Sequence, residues 1–257
     1  KEKFENFGSF QDAITKDIKQ NFLFHSNISS SLNIGLLDLN ELIEKIVAFD
    51  APYNAKEGFI RQIIGWREFM LRVYEDDGIL LRNSNFFEFK NPIPKKIIEA
   101  KSNIQILDDT IKKLELTAYN HHIERLMILG NIFLLLEINP NEVYEFFMKN
   151  YIDAYDWVMV GNVYGMSGFS DGGSITTKPY ISSSNYLLKM SDYSKNESWC
   201  EILDALYWRF LYKYSFKFDK NPRMKMQIAL LNKMPKEKLE NHLLVAKKFI
   251  DDIFITN

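Results

Sequence analysis

The amino-acid sequence predicts an all-α fold built as one domain over residues 1–257. Three observations carry that expectation. Apolar residues recur at three- and four-residue steps through several long stretches, the spacing of one helix face. Runs that alternate apolar and polar, as a half-buried strand does, are sparse. The seven prolines fall mostly between the periodic stretches, where helices end. A hydrophobic content of 46% is enough for a substantial core.

In chain order, helical periodicity covers 39–49, 59–74 and 123–136. Asn139-Pro140-Asn141 closes the third of these and opens another helix, to about Lys149, because proline suits a first turn and not an interior. Residues 203–215, 222–232 and 236–253 read as three more helices. Two segments break the pattern. His25-Ser26-Asn27-Ile28-Ser29-Ser30-Ser31 is rich in hydroxyls and leads into an apolar run. Hydroxyls and free amides at a helix start suit an anion such as a diphosphate; an ordinary capped helix start is the alternative. Residues 160–180 hold five of the eleven glycines, and the expectation is a compact loop, either lining a site or simply on the surface. No internal repeat or low-complexity linker appears.

The formal net charge of −2 excludes gross attraction to nucleic acid but not a local basic face. A single cysteine, Cys200, excludes a disulfide framework within the chain and argues against a cysteine-built metal site. It fits a reducing cytoplasm. No apolar run approaches a membrane span, and no signal peptide opens the chain. The chain opens on Lys1 rather than Met, which predicts that it is part of a longer polypeptide.

The strongest chemical signal is Asn120-His121-His122-Ile123-Glu124-Arg125-Leu126-Met127. Two of the four histidines lie side by side, with an arginine, inside an otherwise apolar helix pattern. Imidazole exchanges protons near neutral pH and guanidinium does not. A helix that turns both inward carries either a polar core network or a reaction site.

These pieces occur in a recognisable order. Phe7-Gly8-Ser9-Phe10-Gln11-Asp12-Ala13, the stretch from Phe22 to Leu37 and Arg61-Gln62-Ile63-Ile64-Gly65-Trp66-Arg67-Glu68-Phe69 come first. His121 to Asn131 and Tyr151-Ile152-Asp153-Ala154 follow. Gly165-Met166-Ser167, Asp171-Gly172-Gly173, Thr177-Lys178-Pro179-Tyr180-Ile181-Ser182-Ser183 and Asn221-Pro222-Arg223-Met224 complete the order. Over nearly its whole length the chain resembles the FAD-binding catalytic domain of the photolyase and cryptochrome family, in particular the prokaryotic (6-4) photolyase branch. The resemblance implies a helical domain holding FAD in a bent form, acting on damaged DNA in the cytoplasm, at the nucleoid. It assigns Phe10, His25, Ser26, Ile28, Ser29, Gln62, Arg125, Tyr151, Asp153 and Met159 to the cofactor, with Arg125 and Asp153 paired beside the flavin ring. It assigns Trp66, Met166, Lys178 and Arg223 to the DNA, and His121, His122 and Tyr180 to catalysis. His122 is favoured as the proton donor while light drives an electron from reduced flavin to a flipped-out lesion.

The chain also departs from the family. The resemblance implies an α/β antenna domain before this one; nothing in these 257 residues resembles it, and the expectation is that any antenna domain is separate or missing. Four cysteines would hold an iron–sulfur cluster; the matching positions are Ile106, Ser194, Glu197 and the neighbourhood of Cys200, so no cluster is expected. Positions matching the electron-relay aromatics are Ile98, Phe146 and Phe147, which predicts slow photoreduction unless Trp157, Tyr151 or Tyr155 substitutes. Met159 stands where the branch usually has an acidic residue. Alternatives to a repair enzyme are a cryptochrome-type photoreceptor and a helical remnant without flavin. Retention of both histidines with Tyr180 favours repair, and retention of Arg125 with Asp153 favours flavin.

Overall fold

The structure, a computed structural model, describes residues 3–255; Lys1 lies outside them. It is all-α, as expected. Among the described residues the β pairing comes to two single bridges, Ile14 with Ser191 and Asn91 with Ile138. No helix is long and apolar enough to cross a membrane among these residues.

The core forms around two helices. Asn131–Leu135 is buried on every side, which its run of Ile132, Phe133, Leu134 and Leu135 requires, since a helix apolar all round has no face to give to water. Trp199–Tyr214 buries Leu203, Ala205, Leu206, Phe210 and Leu211 completely. Its outer neighbour is Lys236–Ile253, an amphipathic helix that packs inward through Ala246, Phe249 and Ile253. Pro140–Asn150 begins as its proline dictates, with the Asn139 side chain accepting from the Asn141 N–H at 2.9 Å.

Several expectations are corrected. The helix read as 59–74 belongs to one rod over 53–82, made of Tyr53–Ile60, Arg61–Trp66 and Arg67–Arg82. The helix read as 39–49 is Leu39–Ala48, capped by Asp38. Those read as 203–215 and 222–232 are Trp199–Tyr214 and Lys225–Asn232. Gln105–Thr117 was not expected, because Asp108, Asp109 and Lys113 are buried in it and interrupt the apolar period. Phe4–Phe10 and Ser184–Met190 were too short to show one.

The expected loop over 160–180 is helical in its first third. Asp156–Val160 continues without a break into Gly161–Ser167. Its glycines serve close packing. A Cβ on Gly161 would stand 2.7 Å from Met70 Sδ, and one on Gly130 would stand 2.7 Å from Ser167 Cβ. The 156–167 helix therefore lies directly against both the 67–82 helix and the 124–135 helix. Three stretches are π-helical: Arg61–Trp66, Glu124–Gly130 and Gly161–Ser167. Each carries one residue more per turn than an α-helix, a distortion that occurs frequently at functional sites.

Candidate functional site

All three π turns face one cavity of about 750 Å³. Gln62, Ile63 and Trp66 reach it from the first, Arg125, Leu126 and Met127 from the second, and Asn162, Val163, Met166 and Ser167 from the third. Much of the remaining wall comes from 25–33, from 153–159 and from the 178–182 segment, with Asp12, Arg67, Tyr119, Asn120, His122 and Phe147. The volume lies in the upper part of the range for small-molecule and cofactor pockets, about 300–1,000 Å³.

At the cavity wall Arg125 and Asp153 form a two-pronged pair, Nη1 to Oδ1 at 2.9 Å and Nη2 to Oδ2 at 3.1 Å. Arg125 Nε also donates to the Asn120 carbonyl at 2.7 Å. The guanidinium lies 4.2 Å over the Tyr151 ring and 5.2 Å over Tyr119. Burial pushes the Tyr119 hydroxyl up to about 12, although Arg125 pulls the other way. Ser29 Oγ donates to Asp153 Oδ2 at 2.7 Å, and Asn33 Nδ2 donates to the Asp153 carbonyl. The Ser29 hydroxyl is therefore committed to the ion pair. Ser26, by contrast, is exposed at the cavity wall.

Sequence reasoning missed Arg67. It lines the cavity, donates to Asn33 Oδ1 at 2.8 Å and lies 4.9 Å over the Trp157 ring. It makes no ion pair among the described residues. Its only signal was its place inside the Arg61 to Phe69 motif.

Three of the four histidines form a cluster at one edge of the same cavity. His25 and His121 stack with centroids 4.6 Å apart and planes within 3°. His122 meets His25 edge-on at 5.6 Å. His122 Nε2 stands 3.4 Å from Asp12 Oδ1, and His25 Nε2 is 2.9 Å from the Gln11 carbonyl, to which it donates. Burial, with repulsion from His122, pushes His25 down to about 4. Burial also holds His121 well below the ordinary imidazole range, ahead of repulsion from its neighbours. The 3.6 Å approach of His121 Nε2 to Glu124 is thus a contact of a neutral ring and not an ion pair. Glu124 is paired instead with buried Lys113, at 2.6 Å.

Of the expected site residues, the structure brings His25, Ser26, Ile28, Ser29, Gln62, Trp66, His122, Arg125, Asp153, Met159, Met166, Lys178 and Tyr180 to this cavity. Four lie elsewhere. Phe10 is half exposed and rests against Phe24. Tyr151 is buried behind Arg125, its hydroxyl donating to Asn120 Oδ1 at 2.7 Å. His121 is fully buried behind His25. Arg223 is exposed outside the cavity; its turn is joined to the 176–180 segment by Asn221 Nδ2 donating to the Thr177 carbonyl.

The positions read as cluster and relay sites are packed as ordinary side chains. Ile106 is wholly in the core. Glu197 accepts from the Ser194 N–H at 2.9 Å and from Trp199 Nε1 at 2.5 Å, which fixes the turn before Cys200. Phe147 lines the cavity and stacks on Tyr151 at 5.0 Å, Phe146 lies 6.0 Å behind it, and Ile98 is half exposed.

No protein-family model matches the chain. It is 39% identical over 246 residues, 90% of its length, to a (6-4) photolyase of Agrobacterium fabrum, and covers 48% of that protein. It is 51% identical over 92 residues to the uncharacterized protein R855 of Acanthamoeba polyphaga mimivirus, 36% of this chain and 75% of that one. A second mimivirus protein, the uncharacterized R853, is 32% identical over 108 residues, 38% of this chain and 78% of its own length. The chain spans about half the length of the photolyase that it matches.

Proposed function

From the premise that a likeness running through nine-tenths of the chain supports a place in the photolyase family, we propose that this chain is an FAD-binding domain that repairs damaged DNA with light, its substrate a (6-4) pyrimidine photoproduct. One observation carries the reading. A single cavity is lined at once by the Arg125–Asp153 pair, by Ser26, and by His122 with Tyr180. Cofactor-type and lesion-type residues from distant parts of the sequence converge there.

The residues present fit FAD. Ser26 and the cationic Arg67 supply anion contacts at one side of the cavity. Arg125 and Asp153 supply a donor and acceptor edge for a polar ring system. Met159, Val163 and Phe147 supply an apolar wall. Bound there and reduced, FAD supplies the electron that blue light drives to the lesion. His122 holds the proton the lesion needs. At 44% side-chain exposure it is reachable from solvent, and Asp12 orients its ring. Tyr180 and Trp66 bound the space for the flipped bases, and Lys178 with Arg223 steadies the phosphates outside it. With one cysteine in the chain, no iron–sulfur cluster is part of this proposal.

The test has two steps. The purified protein, incubated with FAD and desalted, should keep a flavin band at about one equivalent per chain. Under blue light with a reductant it should then clear a (6-4) lesion from an oligonucleotide. No retained flavin defeats the whole reading. Flavin without lesion loss leaves a photoreceptor of the cryptochrome type.

A further inference from the structure

The most unusual chemical feature outside the flavin wall is the trio of imidazoles. We propose that His25, His121 and His122, with the Asp12 carboxylate beside them, form a binding site for a divalent transition-metal ion of the zinc class. The inference stands whether or not the chain holds flavin, and an ion held by His122 takes the lone pair of that ring, so metal-bound and proton-donating His122 are alternative states.

Four observations support it. First, one ring nitrogen from each histidine lies within 4.8 Å of those of the other two. A tetrahedral zinc ion, with Zn–N bonds of about 2.0–2.1 Å, sets its donors roughly 3.4 Å apart. The difference is closed by turning rings about their Cβ–Cγ bonds. The parallel His25 and His121 rings require that turn for their lone pairs to converge. Second, the His122 side chain, 44% exposed, opens the cluster to solvent, and its Nε2 stands 3.4 Å from Asp12 Oδ1.

Third, His121 is fully buried, and neither of its ring nitrogens has a hydrogen-bond partner among the described residues. Buried polar groups are nearly always partnered, and an unpartnered one points to something bound. Fourth, an oxygen atom already faces the outer nitrogen of His25: its Nε2 donates to the Gln11 carbonyl at 2.9 Å, which leaves its Nδ1 lone pair free. Metal-ligating histidines almost always turn their second nitrogen to such a partner. His25 and His122 line the cavity, which provides the entry path. The nearby cations Lys113 and Arg125 are each engaged with their own carboxylate, Glu124 and Asp153. Three imidazoles, with Asp12 as the outer partner of His122, select zinc, cobalt, nickel or copper over magnesium and calcium.

Cobalt(II) titration of the purified protein tests the site without reference to flavin or DNA. One equivalent should produce the visible bands of low-coordinate cobalt, to the red of any flavin absorption, and zinc should displace them. His122→Gln and His25→Gln should each abolish the saturable signal. Asp12→Asn should weaken zinc competition by about 10–100-fold, as loss of an outer partner does. Because the His122 side chain is 44% exposed, His122→Gln should melt like the parent, which guards against misfolding as the cause. Absence of saturable bands in the folded parent overturns the proposal. So does a signal that survives His122→Gln, or displacement of cobalt by magnesium as readily as by zinc.

Discussion

At the scale of single residues, Asp153 holds more of the site than any other side chain. It accepts from both Arg125 prongs and from Ser29. Asp153→Ala leaves a guanidinium with only 17% side-chain exposure and no carboxylate. We expect a loss of about 3–5 kcal/mol in a denaturant melt, the cost of breaking a buried pair from one side. Flavin retention after desalting should fall with it. His122→Ala is expected to keep the flavin band while light-driven repair drops about 10²–10⁴-fold, the usual worth of a positioned proton donor. His25 and His121 predict a pH dependence. Their folded pKa values lie below the unfolded value of about 6.5, so below that pH the unfolded chain binds more protons than the folded one. Stability is fully present above about 6.5 and falls as the pH drops toward 4, at about 1.4 kcal/mol per pH unit for each histidine. Urea melts between pH 7.5 and 5.5 should show that slope, and His121→Leu should flatten it. The same substitution removes two unpartnered buried nitrogens, so at pH 7.5 it should leave stability equal or higher.

At the scale of elements, the crossing of the 124–135 and 156–167 helices sets the cavity's back wall. Gly130→Ala places a methyl 2.7 Å from Ser167 Cβ. Overpacking of this kind costs about 1–3 kcal/mol, and the melt of that variant should show it together with weaker flavin binding. Phe146→Trp should quicken photoreduction of bound flavin under blue light, because indole is oxidised far more readily than a phenyl ring. An unchanged rate would mean that Trp157 or a tyrosine already carries the electron. Much of this architecture was readable beforehand. The long amphipathic helices were legible because their period is simple, and 236–253 was read to its ends. Arg125 with Asp153, and His122 with Tyr180, were legible through motif order. Gln105–Thr117 was not, because buried charges hide its period. Nor were the π turns, since no residue type marks them and they arise from how neighbouring helices meet. The glycines at 161 and 165 suggested a loop, but the reason for them is helix contact.

For the molecule as a whole, charge is nearly balanced, at −2 over 257 residues. Under the proposed function, DNA affinity then rests on a few local contacts. Lys178→Ala and Arg223→Ala should each weaken binding to damaged and undamaged duplex alike. Each should lower the slope of log affinity against log salt by about 1. A slope unchanged in both variants would place the DNA on another face. Exposed Lys178 at the cavity rim and the turn that carries Arg223 lie far apart in sequence. The Asn221 bond to the Thr177 carbonyl ties that turn to the Lys178 segment, a tertiary contact that charge patterning cannot reveal.

The π turns have a consequence for how this chain can change over evolutionary time. A π turn is in effect one inserted residue, absorbed in a helix instead of a loop. Removing one residue from 61–66, 124–130 or 161–167 would restore regular winding and re-aim the side chains within the turn by up to about 100°, the angle per residue at 3.6 residues per turn, while the helix beyond kept its place. Trp66, Arg125 and Met166 would then leave the cavity, although composition and length would hardly differ. Relatives that keep the cavity should keep these three extra residues. A sequence comparison that permits gaps only between helices would misalign them there.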